Sequence, residues 1–173
     1  FHENVFVREI VVENLAPENR RIEVFFGQDF DISGNSVGDT AAYDPVAGGI
    51  VHYKGSRYFL INGFSDRLQH LSQFAVGVKR AGGREGTYRD AEDGVLSGNT
   101  IAQGSVDSVV SLALELDAHG SGKGYYWICT AEAWAEVRRM DSVVRRKHPE
   151  TLIRRTADYW NLWVRKETIP DDQ

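Results

Sequence analysis

The stretch RIEVFFGQDFDIS, residues 21–33, restricts the possible fold more than any other feature, because its apolar and polar side chains alternate. A period of two is the period of a β-strand, in which successive side chains point to opposite faces of a sheet. The apolar positions are Ile22, Val24, Phe26, Phe30 and Ile32, and the charged positions of the other parity are Arg21, Glu23, Asp29 and Asp31, with Gln28 as the interruption. The pattern predicts a half-buried strand over the whole stretch.

The residues before this stretch also have the composition of a strand. VFVREIVVENL (5–15) is separated from it only by APENR (16–20), a short link that contains Pro17 and Asn19. Strands joined by so short a link commonly pair side by side. We therefore expect these two strands to form an antiparallel hairpin.

Four further segments carry the same signal. AAYDPVAGGIVHYKGSRYFLINGF (41–64) contains short strands separated by the turns DPVAGG and KGS, and QFAVGVK (73–79) alternates. VVSLALEL (109–116) alternates before the turn-rich DAHGSGKG, after which the chain returns as YYWICTA (125–131). Many strands joined by tight turns, with no helix between them, predict a mainly β protein built as an antiparallel β-sandwich.

The period changes to that of a helix in AEAWAEVRRMDSVVRRK (131–147), where basic residues gather at the end and complement the helix dipole. The positions that recur at helical intervals are Trp134, Val137, Met140 or Asp141, and Val144. HPE (148–150) interrupts this pattern, and Pro149 suits the first position of a second helix. We therefore predict a β-sandwich domain over residues 1–130 and a pair of linker helices over 131–173.

The second helix has an apolar face that suggests a contact with another domain. Trp160 and Trp163 are three positions apart, so their side chains point only about 60° from each other around the helix axis. The residues of this face, which are the candidate domain-interface residues, are Leu152, Ile153, Trp160, Trp163 and Val164. The charged residues that leave the rest of the helix for water are Arg154, Arg155, Asp158, Arg165 and Lys166.

Composition disfavours some classes of partner. The net charge of -5 disfavours a nucleic-acid surface, and no run approaches the roughly 18 apolar residues of a membrane span. Cys129 is the only cysteine, so no internal disulfide is expected and a cytoplasmic location is favoured. Because the sequence starts at Phe1 inside a strand pattern, we expect an excised piece of a longer chain.

No pattern in the sequence identifies a catalytic residue, a metal site or a cofactor. The histidines, at positions 2, 52, 70, 119 and 148, lack the i, i+4 spacing of a metal pair. RDAEDG (89–94) does not have the ligand spacing of a calcium loop. RAGGREG (80–86) lacks the Lys-Ser/Thr ending of a phosphate loop, so we interpret RAGGREG as a hairpin. Carboxylates that could pair for glycoside hydrolysis are Asp29 with Asp31, Asp39 with Asp44, and Asp90 with Glu92 and Asp93, but their sequence positions favour solvated faces and turns.

Five motifs, taken together and in order, carry a resemblance that covers nearly the whole chain. They are HENVFVREIVVENL (2–15), VFFGQDFDISGNSVGDTAAYDP (24–45), IVHYKGSRYFL (50–60), DAEDGVLSGNTIAQGSVDS (90–108) and RRTADYWNLWVRKE (154–167). With them the chain resembles the N-terminal region of bacterial and archaeal glycoside hydrolase family 15 proteins, which include glucoamylases, glucodextranases and some trehalases. GNTIAQGSVDS within the fourth motif is the most specific element.

The resemblance implies a large, supersandwich-like β domain, a helical linker and then an (α/α) catalytic toroid that lies outside this sequence, with further strands before residue 1. The catalytic glutamates of that family, which invert configuration at α-glucosides, belong to the toroid and correspond to no position here. The implied function is a non-catalytic domain that supports the toroid and shapes its rim through residues 88–108. Its partners would be the toroid and, for the parent enzyme, an α-glucan or a small α-glucoside.

Two alternatives stay open from the residues alone. One is an independent carbohydrate-binding module, in which exposed aromatic rings stack on sugars; the candidates near turns are Tyr43, Tyr53, Tyr58 and Tyr88. The other is a standalone enzyme, which no constellation of residues supports. In either case an uncovered apolar helix face predicts self-association of the isolated chain.

Overall fold

The computed structural model describes residues 3–35, 37–79 and 86–167, and residues 166 and 167 are described by their backbone only. It is mainly β, with two antiparallel sheets followed by two helices, as the sequence predicted. The strands are β1 Val5–Glu13, β2 Arg20–Gln28, β3 Asp39–Asp44, β4 Gly49–Lys54, β5 Arg57–Ser65, β6 Gln73–Val78, β7 Ile101–Gly104, β8 Val106–Leu116 and β9 Ser121–Ala131, and the helices are α1 Trp134–Lys147 and α2 Pro149–Glu167.

The two sheets differ in size and stack face to face. The larger has the strand order β1-β9-β5-β4-β3-β7, and the smaller has the order β2-β8-β6. Inward-facing residues of both sheets, such as Ile61 and Val110, form one apolar core, in which Tyr126 stacks on Phe26 with the ring centroids 4.6 Å apart. This arrangement confirms the β-sandwich, and the two turns within 41–64 join β3, β4 and β5 into consecutive hairpins as expected.

The expected hairpin between the first two strands is wrong. β1 pairs with β9 in the larger sheet, whereas β2 pairs with β8 in the smaller one. The link between β1 and β2 crosses the edge of the sandwich beside the link between β8 and β9. Asn14 fastens the two links together, because its side-chain amide donates to the carbonyls of Glu18 and Asp117. A strand with alternating apolar and polar residues buries one face whether its neighbour in sequence lies beside it or in the opposite sheet. The alternation therefore did not distinguish a hairpin from two strands in different sheets.

The strand predicted over 21–33 also ends early. β2 stops at Gln28, and Ile32 is buried in a short 3-10 helix, Ile32–Gly34, whose Ser33 adopts a positive φ of 63°. Ile32 and Phe30 therefore keep apolar contacts without belonging to the sheet. Of the stretch interpreted as a hairpin, residues 80–85 lie outside the described residues.

Both helices pack on the outer face of the larger sheet. Helix α1 contributes Val137, Met140 and Val144 to a second apolar core, where they lie with Trp127 of β9 and Leu60 of β5. The helical segment and the sandwich therefore share a continuous core. Pro149 is the first residue of α2, as predicted.

A buried carboxylate fixes α1 on the sheet. The side chain of Asp141 is only 4% exposed, and its Oδ1 accepts hydrogen bonds from the indole of Trp127 at 2.9 Å and from the amide of Asn62 at 3.0 Å. Its Oδ2 accepts from Arg145, one turn along the same helix, at 3.3 Å. Burial raises the pKa of Asp141, although Arg145 and the two neutral donors oppose that shift. Without the carboxylate the buried indole of Trp127 would lose its acceptor, whereas Asn62 and Arg145 would keep the carbonyl of Ala47.

We expect Asp141→Ala to lower the free energy of unfolding by roughly 3 kcal/mol, because it leaves the buried Trp127 indole without an acceptor and removes one hydrogen bond each from Asn62 and Arg145. Urea denaturation monitored by tryptophan fluorescence measures the change. Asp158→Ala, on the exposed part of α2, is the matched control and should leave the midpoint unchanged. Equal midpoints for both variants would contradict the role given to Asp141.

The core of the sandwich also contains a histidine. His52 is 1% exposed, and its Nε2 lies 2.7 Å from the hydroxyl of Ser108. Its Nδ1 is buried without a hydrogen-bond partner. Burial, helped by the nearby ammonium of Lys79 and opposed by Asp29, lowers the pKa of His52 to about 4. The ring is therefore neutral at pH 7 in the folded chain.

Because the pKa of His52 is lower in the folded chain than in the unfolded chain, the folded state loses stability as the pH falls from about 6.5 to about 4. This histidine alone should lower the free energy of unfolding by about 3 kcal/mol across that window. Denaturation of the native chain and of His52→Gln at both ends of the window tests this. The variant should show a smaller loss, and an identical loss in both proteins would contradict it.

Candidate functional site

Helix α2 divides into a buried beginning and an exposed remainder. Leu152 is 4% exposed and belongs to the core that contains Val144 and Tyr125, and the neighbouring Ile153 is half-buried. From Arg154 to Arg165 every side chain is exposed. The helix thus starts against β1 and β9 and then extends away from the sandwich.

The exposed part of α2 carries the predicted tryptophans. Trp160 is 59% exposed, Trp163 is 52% exposed and Val164 is 62% exposed. They follow Leu152 and Ile153 along the same side of the helix, because all five lie within about 120° around its axis. The structure therefore places the five candidate interface residues in one stripe, of which the first is covered by this chain and the last three are not. We call Trp160, Trp163 and Val164 the tryptophan patch.

The tryptophan patch has the properties of a docking surface. Burying an indole ring gains on the order of a few kcal/mol, so neighbouring rings left in water are unfavourable. Apolar residues are arranged here on a helix whose beginning is fixed by a packed core, so the patch is held in a defined direction. Such a face can bind a groove between other helices by the packing of ridges into grooves.

The helical segment and the sandwich differ in net charge. Residues 134–167 contain nine basic residues (Lys or Arg) and five acidic ones (Asp or Glu). The rest of the chain contains eleven basic residues and twenty acidic ones. Three exposed arginines, Arg146, Arg154 and Arg155, form no ion pair with any residue in the described ranges. The surroundings of the patch are therefore basic, although the chain as a whole is acidic.

The four candidate tyrosines differ in environment. Tyr43 stacks on Phe74 with an interplanar angle of 2°, and Tyr53 stacks on Tyr58 with its centroid 5.5 Å away. Trp134 covers the second pair at 5.4 Å from Tyr53, so three of the four rings serve packing. Tyr88 is 52% exposed and lies on a short 3-10 helix, Thr87–Ala91.

The other polar residues considered in the sequence serve the fold. Asp90 and Asp93 accept hydrogen bonds from the backbone of Ser97 and Val95 and so shape their own loop. His148 packs between the rings of Phe64 and Tyr125. Within the described ranges, no group of three or more His, Cys, Asp or Glu side chains is placed to hold a metal ion. His2 lies outside the described residues.

The carboxylates of Asp29, Asp31, Asp39 and Asp44, which were considered as pairs for hydrolysis, form ion pairs or accept hydrogen bonds within the chain. Asp29 and Asp31 both accept from the ammonium of Lys79, and Asp39 pairs with Lys54 at 3.2 Å. Asp44 is fully buried and accepts from Arg138 and from the indole of Trp134 at 2.6 Å. Burial raises the pKa of Asp44, but these donors outweigh it and keep the pKa below its usual value. Asp39 and Asp44 are thus engaged separately, at the two ends of β3.

Sequence reasoning missed the polar groups that position the helices. Acidic residues are usually exposed, so the residue type of Asp44 and Asp141 gives no sign that they are buried. One signal was present for Asp141, which occupies a core position in the helical pattern beside Met140. No comparable signal marks Asp44, because its partners Trp134 and Arg138 are distant in sequence.

Comparison with known proteins adds no identification. No protein-family model matches the chain, and no curated protein matches it. No helix within residues 3–35, 37–79 and 86–167 is long and apolar enough to span a bilayer. The resemblance to glycoside hydrolase family 15 therefore stays a prediction from the sequence motifs.

The two parts of α2 should respond differently to truncation. We expect Trp160→Ala combined with Trp163→Ala to change the free energy of unfolding of this chain by no more than about 0.5 kcal/mol, because both rings are exposed. Leu152→Ala, on the same helix, should cost roughly 3 kcal/mol because it leaves a cavity in a shared core. Chemical denaturation of both variants measures these two changes in the free energy of unfolding. Collapse of the fold in the tryptophan variant would show that the rings belong to the core.

Proposed function

We propose that this chain is a non-catalytic β-sandwich domain that supports a separate helical domain, with the tryptophan patch of α2 as the docking surface. The observation that carries this proposal is the continuity of one apolar stripe from a buried core, at Leu152, to the exposed Trp160 and Trp163. A helix anchored at one end presents the remainder of its apolar face in a fixed orientation. That is the arrangement expected of an element between two domains.

The charges around the patch indicate the chemistry of the partner. Arg146, Arg154 and Arg155 are exposed and form no ion pair within the described part of the chain. A partner surface with an apolar groove and acidic residues at its rim would complement them. Self-association of the isolated chain, with the apolar face of α2 docked on a neighbouring copy, stays a prediction.

The motif resemblance supplies the specific form of the proposal. The partner domain would be the (α/α) toroid of a glycoside hydrolase family 15 enzyme that acts on α-glucosides, and this chain would contribute stability rather than catalytic groups. The segment 88–108 would lie at the rim of the toroid. We also propose a cytoplasmic location, which agrees with the one cysteine, Cys129, being buried and having its pKa raised mainly by burial.

The isolated chain should release no glucose from maltooligosaccharides or trehalose, because the family's catalytic glutamates have no counterpart in it. A coupled glucose assay on repurified protein measures this. Turnover that persists through purification and disappears on substitution of a carboxylate pair, such as Asp29 with Asp31, would overturn the proposal.

The docking role is tested in the full-length gene product. Trp160→Ala with Trp163→Ala should lower the melting temperature of the joined domains by about 2 °C or more, while the isolated sandwich keeps its midpoint. Asp158→Ala, an exposed substitution on the opposite side of the same helix, is the control. A gene that encodes no helical domain, or joined domains that melt unchanged in the double variant, would contradict the docking role.

A further inference from the structure

We propose that the side chains of Lys54 and Asn35 join in a covalent amide bond, with Asp39 as the carboxylate that moves the protons. Lys54 is the last residue of β4, and Asn35 lies in the link that runs from β2 of the smaller sheet to β3 of the larger one. The Nζ atom of Lys54 lies 2.7 Å from Oδ1 of Asn35, so an amine and an amide group are already in contact. No residue of α2 takes part, so this proposal does not depend on the docking role of the tryptophan patch.

Asp39 is a buried acid whose surroundings point to a chemical role. It is 1% exposed, and neither of its carboxylate oxygens accepts a hydrogen bond from any residue in the described ranges. Buried polar groups nearly always have such a bond, and the exceptions include catalytic groups and groups that bind an ion. The Nζ atom of Lys54 lies 3.2 Å from Oδ1 of Asp39. An ammonium of the chain itself thus fills the position of a bound cation, which favours the catalytic role.

The backbone around Lys54 holds its amine in one place. Besides the side chain of Asn35, Nζ contacts the backbone carbonyls of Ile32 and Asn35, each at 3.1 Å. Ile32 is buried, and β4 is an interior strand that pairs with both β3 and β5. Two reactive groups that are fixed side by side react as if each were present at a very high concentration. The fold therefore supplies the proximity that such a reaction requires.

The amide of Asn35 is prepared for attack by a hydrogen bond from the backbone. Its Oδ1 accepts the N–H of Val37 at 3.2 Å in addition to the contact with Lys54. Negative charge develops on the oxygen of an amide when an amine adds to its carbon, and a fixed N–H donor stabilises that charge. The Val37 donor remains in place after Lys54 has given up its proton.

The reaction balances without any co-reactant. The ammonium of Lys54 first passes a proton to Asp39, which leaves an uncharged amine beside an uncharged carboxylic acid. Nζ then attacks Cγ of Asn35 and forms the new carbon–nitrogen bond. Asp39 gives its proton to Nδ2 of Asn35 and takes one from Nζ, after which the bond from Cγ to Nδ2 breaks and ammonia leaves. One ammonium and one primary amide thus become a secondary amide and an ammonium ion, and no atom is oxidised or reduced.

The new bond would lock the place where the chain crosses between the two sheets. The link from β2 to β3 makes that crossing, and the bond would fasten it to the end of β4. The loop that the bond closes contains β3 and its turn to β4. Closing a loop reduces the conformational entropy of the unfolded chain and so stabilises the folded one.

Intact-mass spectrometry of the chain tests the proposal, after incubation of the folded protein for several days. We expect a mass about 17 Da below that of the sequence, which corresponds to the loss of one ammonia molecule. Peptide mapping should then give a branched peptide that joins residues 35 and 54. A mass equal to that of the sequence would overturn the proposal.

Substitutions separate the cross-link from other losses of ammonia. Lys54→Arg and Asn35→Ala should each keep their full mass, because the first removes the nucleophile and the second removes the amide. Asp39→Asn should slow the loss by about a hundredfold or more, because it removes the group that moves the protons. Loss of ammonia that persists in Lys54→Arg would come from a succinimide at an asparagine and would overturn the proposal. A folded Asp39→Asn that reacts as fast as the native chain would overturn it as well.

Lys123→Arg is the matched control for removal of an amine. The ammonium of Lys123 lies 3.6 Å from Glu9 and 3.5 Å from Glu150, neither of which is buried, and this variant should lose ammonia as the native chain does. Circular dichroism confirms that each variant is folded. Lys54→Arg should also melt about 5 °C or more below the cross-linked native chain. Equal melting temperatures of these two proteins would contradict the stabilising role of the bond.

Discussion

The contact of Asp141 with Trp127, Asn62 and Arg145 is the constraint on which the arrangement of layers depends. A carboxylate that is buried among apolar side chains is unfavourable unless each of its oxygens accepts hydrogen bonds. Here the donors come from two strands of the larger sheet and from α1 itself, so the bonds can form together in only one placement of the helix. Apolar contacts from Val137, Met140 and Val144 add stability but little direction. The polar joint thus determines where α1 lies, and the short link at His148 then determines where α2 begins.

The position of α2 follows from that joint. Its 19 residues extend about 28 Å, yet only its beginning packs on the sandwich. Helices of fewer than about 12–15 residues are marginal in water without tertiary contacts. The exposed part of α2 falls near that limit, so a covering surface over Trp160 and Trp163 would stabilise the helix as well as bury its rings. This physical need supports the docking proposal independently of the motif resemblance.

Sequence periodicity predicted the elements well and their partners poorly. Both helices, the first residue of α2 and most strands follow from patterns within short windows. The pairing of β1 with β9 and of β2 with β8 does not, because alternation specifies which face is buried and not which sheet supplies the neighbour. The same limit applies to the candidate site. The stripe from Leu152 to Val164 was visible in the sequence, whereas the burial of Leu152 depends on Val144 and Tyr125, whose proximity arises only in the folded chain.

The order of the layers also determines where a domain bound to α2 would lie. The helices cover the outer face of the larger sheet, and a small apolar cluster with Phe25, Val109 and Leu96 covers the outer face of the smaller one. The tryptophan patch belongs to the first side, because α2 begins in the core that the helices share with the larger sheet. A domain bound to α2 would therefore lie against the layer of helices and would not cover the outer face of the smaller sheet.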